Sequence, residues 1–163
     1  MNKLLIALAT AIHLIPHPLG VSPVGATAMY AGAYGKRSTS WLIPMVPLLI
    51  GHLYNGFYDL TVMAFVYAGF ALSTVAGRLL VKKKSARRFS LAVVLSACIF
   101  YLVSNFSIWL VGMYPPTPAG LLQCYINGLP YLGAGIAANA VYAALLFGLH
   151  ARLHEHVLSP APA

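Results

Sequence analysis

Apolar runs alternate along this chain with short breaks rich in charge, proline or glycine. An α-helix rises 1.5 Å per residue, so about 20 apolar residues are needed to cross a hydrocarbon core. Residues 60–81 and 89–111 meet that length: the first is closed by Lys82-Lys83-Lys84, the second by Gly112 and a proline-rich stretch. Residues 131–149 form a third run. Nearer the start, residues 4–16, 19–35 and 41–54 are shorter, and each carries Pro or Gly. Short spans are accommodated by snorkelling or local thinning of the bilayer. The pattern predicts an all-α fold: one integral membrane domain over residues 1–163, a polytopic bundle of six transmembrane helices.

Composition agrees. Hydrophobic residues make up 60% of the 163 and charged residues only 7%, with a mean hydropathy of +0.81, whereas a soluble domain carries roughly a quarter charged residues. The acids are Asp59 and Glu155. A formal charge of +8 would suit nucleic acid only if it formed an exposed basic face. Here the basic residues sit in short clusters between apolar runs, which argues against a nucleic-acid partner and for the lipid bilayer.

Lys and Arg favour the cytoplasmic ends of spans. With six spans and both termini inside, Lys3, Lys36-Arg37, Arg78, the 82–88 cluster and Arg152 all fall on the cytoplasmic side of a bacterial inner membrane. Merging residues 4–34 into one span would put Lys3 and Lys36 on opposite faces. A rival reading takes Lys3, the first apolar stretch and Ala9-Thr10-Ala11 as a signal peptide, whose removal would leave five spans. Cys98 and Cys124 fall in different segments and form no disulfide framework.

Polar groups inside a span are costly unless they face another helix, a cavity or a ligand. Helical spacing aligns Asp59, Met63, Tyr67, Phe70, Thr74 and Gly77 in the fourth span. It does the same for Cys98, Tyr101, Asn105, Trp109 and Gly112 in the fifth, and for Tyr131, Gly135, Asn139 and Tyr142 in the sixth. Three such stripes are expected to line a pocket open to the outer side, unless they serve only as polar glue between helices. Between the last two spans lies the outer loop 112–130. There four prolines bracket a short amphipathic helix over 119–128, either a lid or an interfacial segment anchored by Tyr114 and Tyr125. The candidate ligand set is Asn105, Trp109, Tyr114, Gln123, Tyr125 and Asn127, joined by Asp59, Tyr67 and Asn139. The aromatic rings would stack on a ring-bearing solute, and the amides would orient it. Asp59 is either a partner for a cation or the anion that favours a helix N-terminus.

No metal site or cofactor is expected. His13 and His17 are spaced i, i+4, but Pro16 interrupts the helix between them, so a shared face is not required. His150, His154 and His156 read as a solvated interfacial tail, and Cys124 stands alone in its loop. No Ser-His-Asp set, paired acids or phosphate loop is present, so no enzymatic activity is expected.

Two blocks, HLIPHPLGVSPVGATAMYAGAYG (13–35) and SNFSIWLVGMYPPTPAGLLQCYINGLPY (104–131), resemble the signature segments of a family of bacterial membrane proteins of unknown function. That family is itself similar to the substrate-binding S components of energy-coupling factor transporters. The resemblance covers most of the chain and implies a six-helix protein that captures a vitamin-like or metal-bearing solute. It also implies a transmembrane coupling subunit with ATPases as partner, met through small residues on the first helix, here Ala7 and Ala11. Relatives carry an acid near the end of the third span and a Gly-Asp pair in the last, where this chain has Gly51-His52 and Ala138-Asn139. The competing expectation is an accessory subunit of a larger membrane complex, packed solid and holding no ligand of its own.

Overall fold

The computed structural model describes residues 3–18, 20–81 and 85–158. The described residues fold into six α-helices: α1 (Lys3–Leu14), α2 (Val24–Tyr34), α3 (Met45–Asn55), α4 (Leu60–Ala76), α5 (Ala86–Leu110) and α6 (Pro118–Leu158). A 3₁₀ turn, Ser40–Leu42, precedes α3, and a π-helical turn, Gly77–Val81, continues α4. Leu19, the Lys82-Lys83-Lys84 cluster and the last five residues lie outside the described residues, as do the side chains of His154 and His156.

Three stretches are long and apolar enough to cross a membrane: Leu60–Leu79, Ala86–Leu110 and Pro118–Leu153. The first three helices fall short of the spans 4–16, 19–35 and 41–54 that the apolar runs predict. α1 has 12 residues and α2 and α3 have 11 each, so they measure about 16–18 Å. Proline explains the shortfall. α1 ends two residues before Pro16, while α2 begins directly after Pro23 and α3 directly after Pro44; in each case the ring blocks continuation through the preceding turn. Gly56, at φ +95°, then turns the chain out of α3.

α2 is the axis of the bundle. Every residue from Val24 to Gly32 is buried, and the helix packs against α4, α5 and α6. A helix apolar on all sides is stable only when enclosed, and its Gly and Ala residues let its neighbours approach closely. The Gly32 Cα lies against the Thr74 carbonyl and the Gly77 Cα against the Met29 carbonyl, so α2 and α4 cross nearly backbone to backbone. Around this crossing Leu5, Ala9, Met29, Tyr30, Val93 and Leu146 form the main core. The outward faces of α4, α5 and α6 stay apolar, with Leu72, Leu91, Leu102, Leu110, Val141 and Leu145 exposed, a surface suited to lipid and not to water.

One end of the bundle collects basic groups. The Arg78 guanidinium donates to the Arg37 carbonyl at 3.2 Å and to Ser40 Oγ at 2.6 Å, which ties the end of α4 to the α2–α3 connection. His150 lies at this end too, but it is not a solvated tail residue. α6 runs on to Leu158, and its last turns carry His150 into a site where it is only 8% exposed. There it shares a 2.7 Å hydrogen bond with the Tyr30 hydroxyl and stacks against Tyr34 at 4.0 Å.

The outer segment also differs from the expected free amphipathic helix. Residues 119–128 form the start of α6, which continues through Pro130. Proline at 130 withdraws the N–H that Ile126 would receive. Bonds to α5 hold the segment in compensation, because the Tyr101 hydroxyl donates to the Tyr125 carbonyl and the Tyr125 hydroxyl donates to the Leu102 carbonyl at 2.8 Å. At 41 residues α6 is about 60 Å long, twice the hydrocarbon thickness, so part of it extends beyond any bilayer that the bundle crosses. Tyr101→Phe is expected to cost about 1 kcal/mol and to speed amide hydrogen exchange selectively in residues 118–129.

Asp59 caps α4, its Oδ1 accepting from the Val62 N–H at 3.0 Å. This contact is the helix-anion role. Asp59→Ala is expected to lower stability by about 1 kcal/mol in thermal unfolding.

Candidate functional site

At the end of the bundle opposite Arg37 and Arg78, all six helices contribute to one cavity of about 640 Å³. Its length follows from helix rise. On α5 the lining runs from Ser96 to Ile108, about 18 Å, and on α6 from Cys124 to Asn139, about 22 Å. Gly128 packs against Asn105 and Gly25 against Asn139. Two glycines thus let α6 come close enough to form the wall.

The walls are mainly apolar and aromatic. Phe70 and Phe100 stack with centroids 4.2 Å apart, and Val62, Val66, Tyr101, Ile108 and Leu132 continue the surface. No Lys, Arg, Asp or Glu is among the lining residues. Three imidazoles, His13, His17 and His52, line the α1 and α3 side. His13 and His17 stand together despite Pro16: His17 Nε2 is 3.4 Å from His13 Nδ1, and Ser22 Oγ is 3.2 Å from the same nitrogen. The segment after α1 turns back on itself and restores the neighbourhood that a straight helix would have given. Gly51 leaves room for the His13 ring, and His52 Nδ1 is 3.0 Å from the Tyr67 hydroxyl. Among the described residues no group of three His, Cys, Asp or Glu side chains is placed to hold a metal ion. Burial, followed by the neighbouring Tyr67, raises the Tyr58 phenol above its ordinary pKa, so Tyr58 offers the cavity a protonated hydroxyl.

Four of the nine residues singled out by sequence line this cavity: Asn105, Tyr114, Asn127 and Asn139. Asn105 Nδ2 donates to the Tyr101 carbonyl at 2.9 Å. Asn127 is engaged on both sides, donating to the Tyr114 hydroxyl at 3.1 Å and accepting from Gln123 Nε2 at 2.9 Å. Gln123 therefore braces the rim from outside. The other four do not line the cavity. Trp109 Nε1 donates to the Pro115 carbonyl at 3.0 Å, Tyr125 binds α5, Asp59 caps α4, and Tyr67 stands behind His52. Cys124 is 1% exposed and donates to the Asn105 carbonyl at 3.3 Å.

One lining group is buried without a hydrogen bond among the described residues: Ser96 is 1% exposed, and its Oγ is unsatisfied. Asn139 is 6% exposed, and its amide lies against Gly25. Buried polar groups are nearly always paired, so the Ser96 hydroxyl marks a place where a bound molecule or water completes the set. Helical phase brought out Asn139, whereas Ser96 fell outside the stripe because a lone serine in an apolar span carries little signal.

Residues 1–161 match a family described as a family of unknown function (DUF6580). The chain belongs to DUF6580. No curated protein and no solved structure matches it. Within this DUF6580 chain both sequence blocks meet at the cavity, the first through His13, His17, Ser22 and Gly25, the second through Asn105, Tyr114, Cys124 and Asn127.

Proposed function

We propose that the protein is a multi-pass substrate-binding protein of a bacterial inner membrane that captures a small, uncharged, ring-bearing solute from the outer side for uptake. The cavity carries this reading. Its volume of about 640 Å³ lies in the range of small-molecule sites, which are mostly apolar with a few placed polar groups. The absence of charged side chains from its lining favours an uncharged solute, since a buried ion without a partner is costly. An accessory subunit packed solid would have no use for such a space.

The proposed topology has six crossings with both termini inside. Its support is the basic end around Arg37 and Arg78, with the cavity at the other end. α1, α2 and α3 are short for crossings, but α2 is enclosed by protein, and irregular backbone at membrane depth is tolerated where protein or a cavity covers it. The resemblance to energy-coupling factor S components adds a partner to the proposal, a transmembrane coupling subunit with ATPases. Ala7 and Ala11 are exposed on α1, where small residues permit close helix contact.

Uptake is testable before the solute is known. Cells producing the wild-type protein and cells producing Asn105→Ala with Asn139→Leu would be grown in one rich medium, and depletion of its small molecules followed by mass spectrometry. The expected result is a compound removed only by wild-type cells. Identical depletion profiles would overturn the uptake reading.

A further inference from the structure

On the histidine wall of the cavity the hydrogens of two rings are fixed by their neighbours. His17 Nδ1 lies 3.3 Å from the Pro18 carbonyl oxygen. A carbonyl only accepts, so that nitrogen carries the hydrogen. A neutral imidazole has one N–H and one lone pair, and neutral His17 therefore keeps its lone pair on Nε2. Nε2 faces His13 Nδ1 at 3.4 Å, which makes His13 the donor. Ser22 Oγ is 3.2 Å from the same His13 nitrogen and already accepts from the Val24 N–H at 3.3 Å, so it shares the His13 hydrogen. His13 Nε2 is left with a lone pair. It lies over Gly51, where no Cβ intrudes, and makes no hydrogen bond among the described residues. At this point of the wall the cavity meets an acceptor.

One added proton reverses the arrangement. It binds at His13 Nε2, the His13 Nδ1–H bond breaks, and that hydrogen passes to His17 Nε2. The pair then holds one N–H more. His17 is the imidazolium, with Nδ1–H still on Pro18 and Nε2–H now donating to His13 Nδ1. Ser22, whose hydroxyl both donates and accepts, serves either state. The charge ends on the exposed ring, where water solvates it at least cost, while half-buried His13 stays neutral with its hydrogen moved to Nε2.

α1 packs against α2 and α3. The α2 residues at this level, Val24 and Gly25, do not titrate. α3 brings His52, whose ring lies 5.1 Å from that of Tyr58 and whose Nδ1 is bound to Tyr67 on α4. From α6, Tyr131 meets the chain at Gly20. Asp59, next to Tyr58, caps α4, and no Lys, Arg, Asp or Glu lines the cavity. No fixed charge on this wall locks either protonation state.

We propose that His13 and His17 form a proton-binding site on the cavity wall, in which His17 holds the charge and His13 presents the change to the interior. Above the transition His13 Nε2 accepts an N–H or O–H from a bound molecule. Below it the same nitrogen offers a hydrogen of its own, and acid loosens such a contact. The proton site stands on the ring geometry alone; its effect on a solute rests on the uptake reading above.

Nitrogen NMR of the full-length protein in nanodiscs, isotope-labelled at histidine, separates ring nitrogens that carry hydrogen from those with a lone pair. Spectra of His13→Gln and His17→Phe assign the signals. At about pH 8, above the usual imidazole range, both wild-type rings are expected to have their lone pair on Nε2. At about pH 5, below that range, His17 is expected to carry hydrogen on both nitrogens and the His13 lone pair to have moved to Nδ1, with one midpoint for the two changes. In His17→Phe the His13 lone pair is expected to stay on Nε2 until that ring itself ionises. A His13 lone pair on Nδ1 at about pH 8 overturns the proposal. So does a His13 ring that does not change where His17 titrates, or an exchange of its lone pair that persists in His17→Phe. None of these results bears on the depletion experiment, so the uptake reading stands or falls separately.

Discussion

Gly77→Ala and Gly32→Ala are each expected to cost at least about 3 kcal/mol, the upper part of the range for overpacking a core, and to leave little folded protein after solubilisation. A methyl group at 77 would overlap the Met29 carbonyl, and one at 32 the Thr74 carbonyl. Both obstacles are backbone. No rotamer change relieves them, so α2 and α4 must move apart, and α2 also packs against α5 and α6. The two substitutions strain one crossing. Once the helices have separated, the second methyl finds room already made, so the double variant is expected to cost clearly less than the sum of the singles. Thermal unfolding of the purified variants, with wild type alongside, measures both effects. By contrast Gly133→Ala, with nothing within 4 Å of an added Cβ, is expected to behave as wild type.

Gly135→Phe is expected to abolish binding while the protein stays folded. Gly135 lines the cavity, and the nearest atom to a Cβ there is the Gly20 carbonyl at 3.8 Å, an ordinary contact. The first carbon is therefore accepted without strain, and the ring occupies space that is otherwise open to the solute. A loss of about 100-fold in affinity corresponds to roughly 2.8 kcal/mol, which is modest for a ring competing directly for the site. Because the added ring fills a void, stability is expected to hold or rise slightly. This separates the variant from the glycine changes at the α2–α4 crossing: one loses the solute and keeps the fold, the others lose the fold. A thermal scan paired with a binding assay on the same preparations reads both.

Much of the architecture was legible from apolar run length. Residues 60–81 and 89–111 correspond to α4 with its π-helical turn and to α5, because an uninterrupted apolar run has few other ways to satisfy its backbone in a bilayer. Run length failed in the first 55 residues. Hydropathy does not distinguish a helix enclosed by protein from one facing lipid, so α2 read as an ordinary span although it is the buried axis. Pro16, Pro23 and Pro44 cut the helices shorter than the runs. Pro130 misled in the opposite sense, since the helix continues through it, held by Tyr101 and Tyr125 on α5.

The site was legible where helical phase fixes direction. Asn105 and Asn139 sit in their stripes and line the cavity, whereas Trp109 shares the stripe of Asn105 and spends its N–H on the Pro115 carbonyl, a contact created by the turn after α5. The histidine wall was not legible. It depends on how the segment after α1 folds back, and no local periodicity reports that. His52 stood out as a departure from the pattern of similar proteins, and it lines the cavity.

The most direct measurement is native mass spectrometry of the gently solubilised protein after incubation with cell extract, wild type beside Gly135→Phe. The expected result is one small uncharged molecule held per wild-type chain and none by the variant. A wild-type chain that holds no small molecule, or the same molecule on both proteins, would contradict the assignment of this cavity as a solute site.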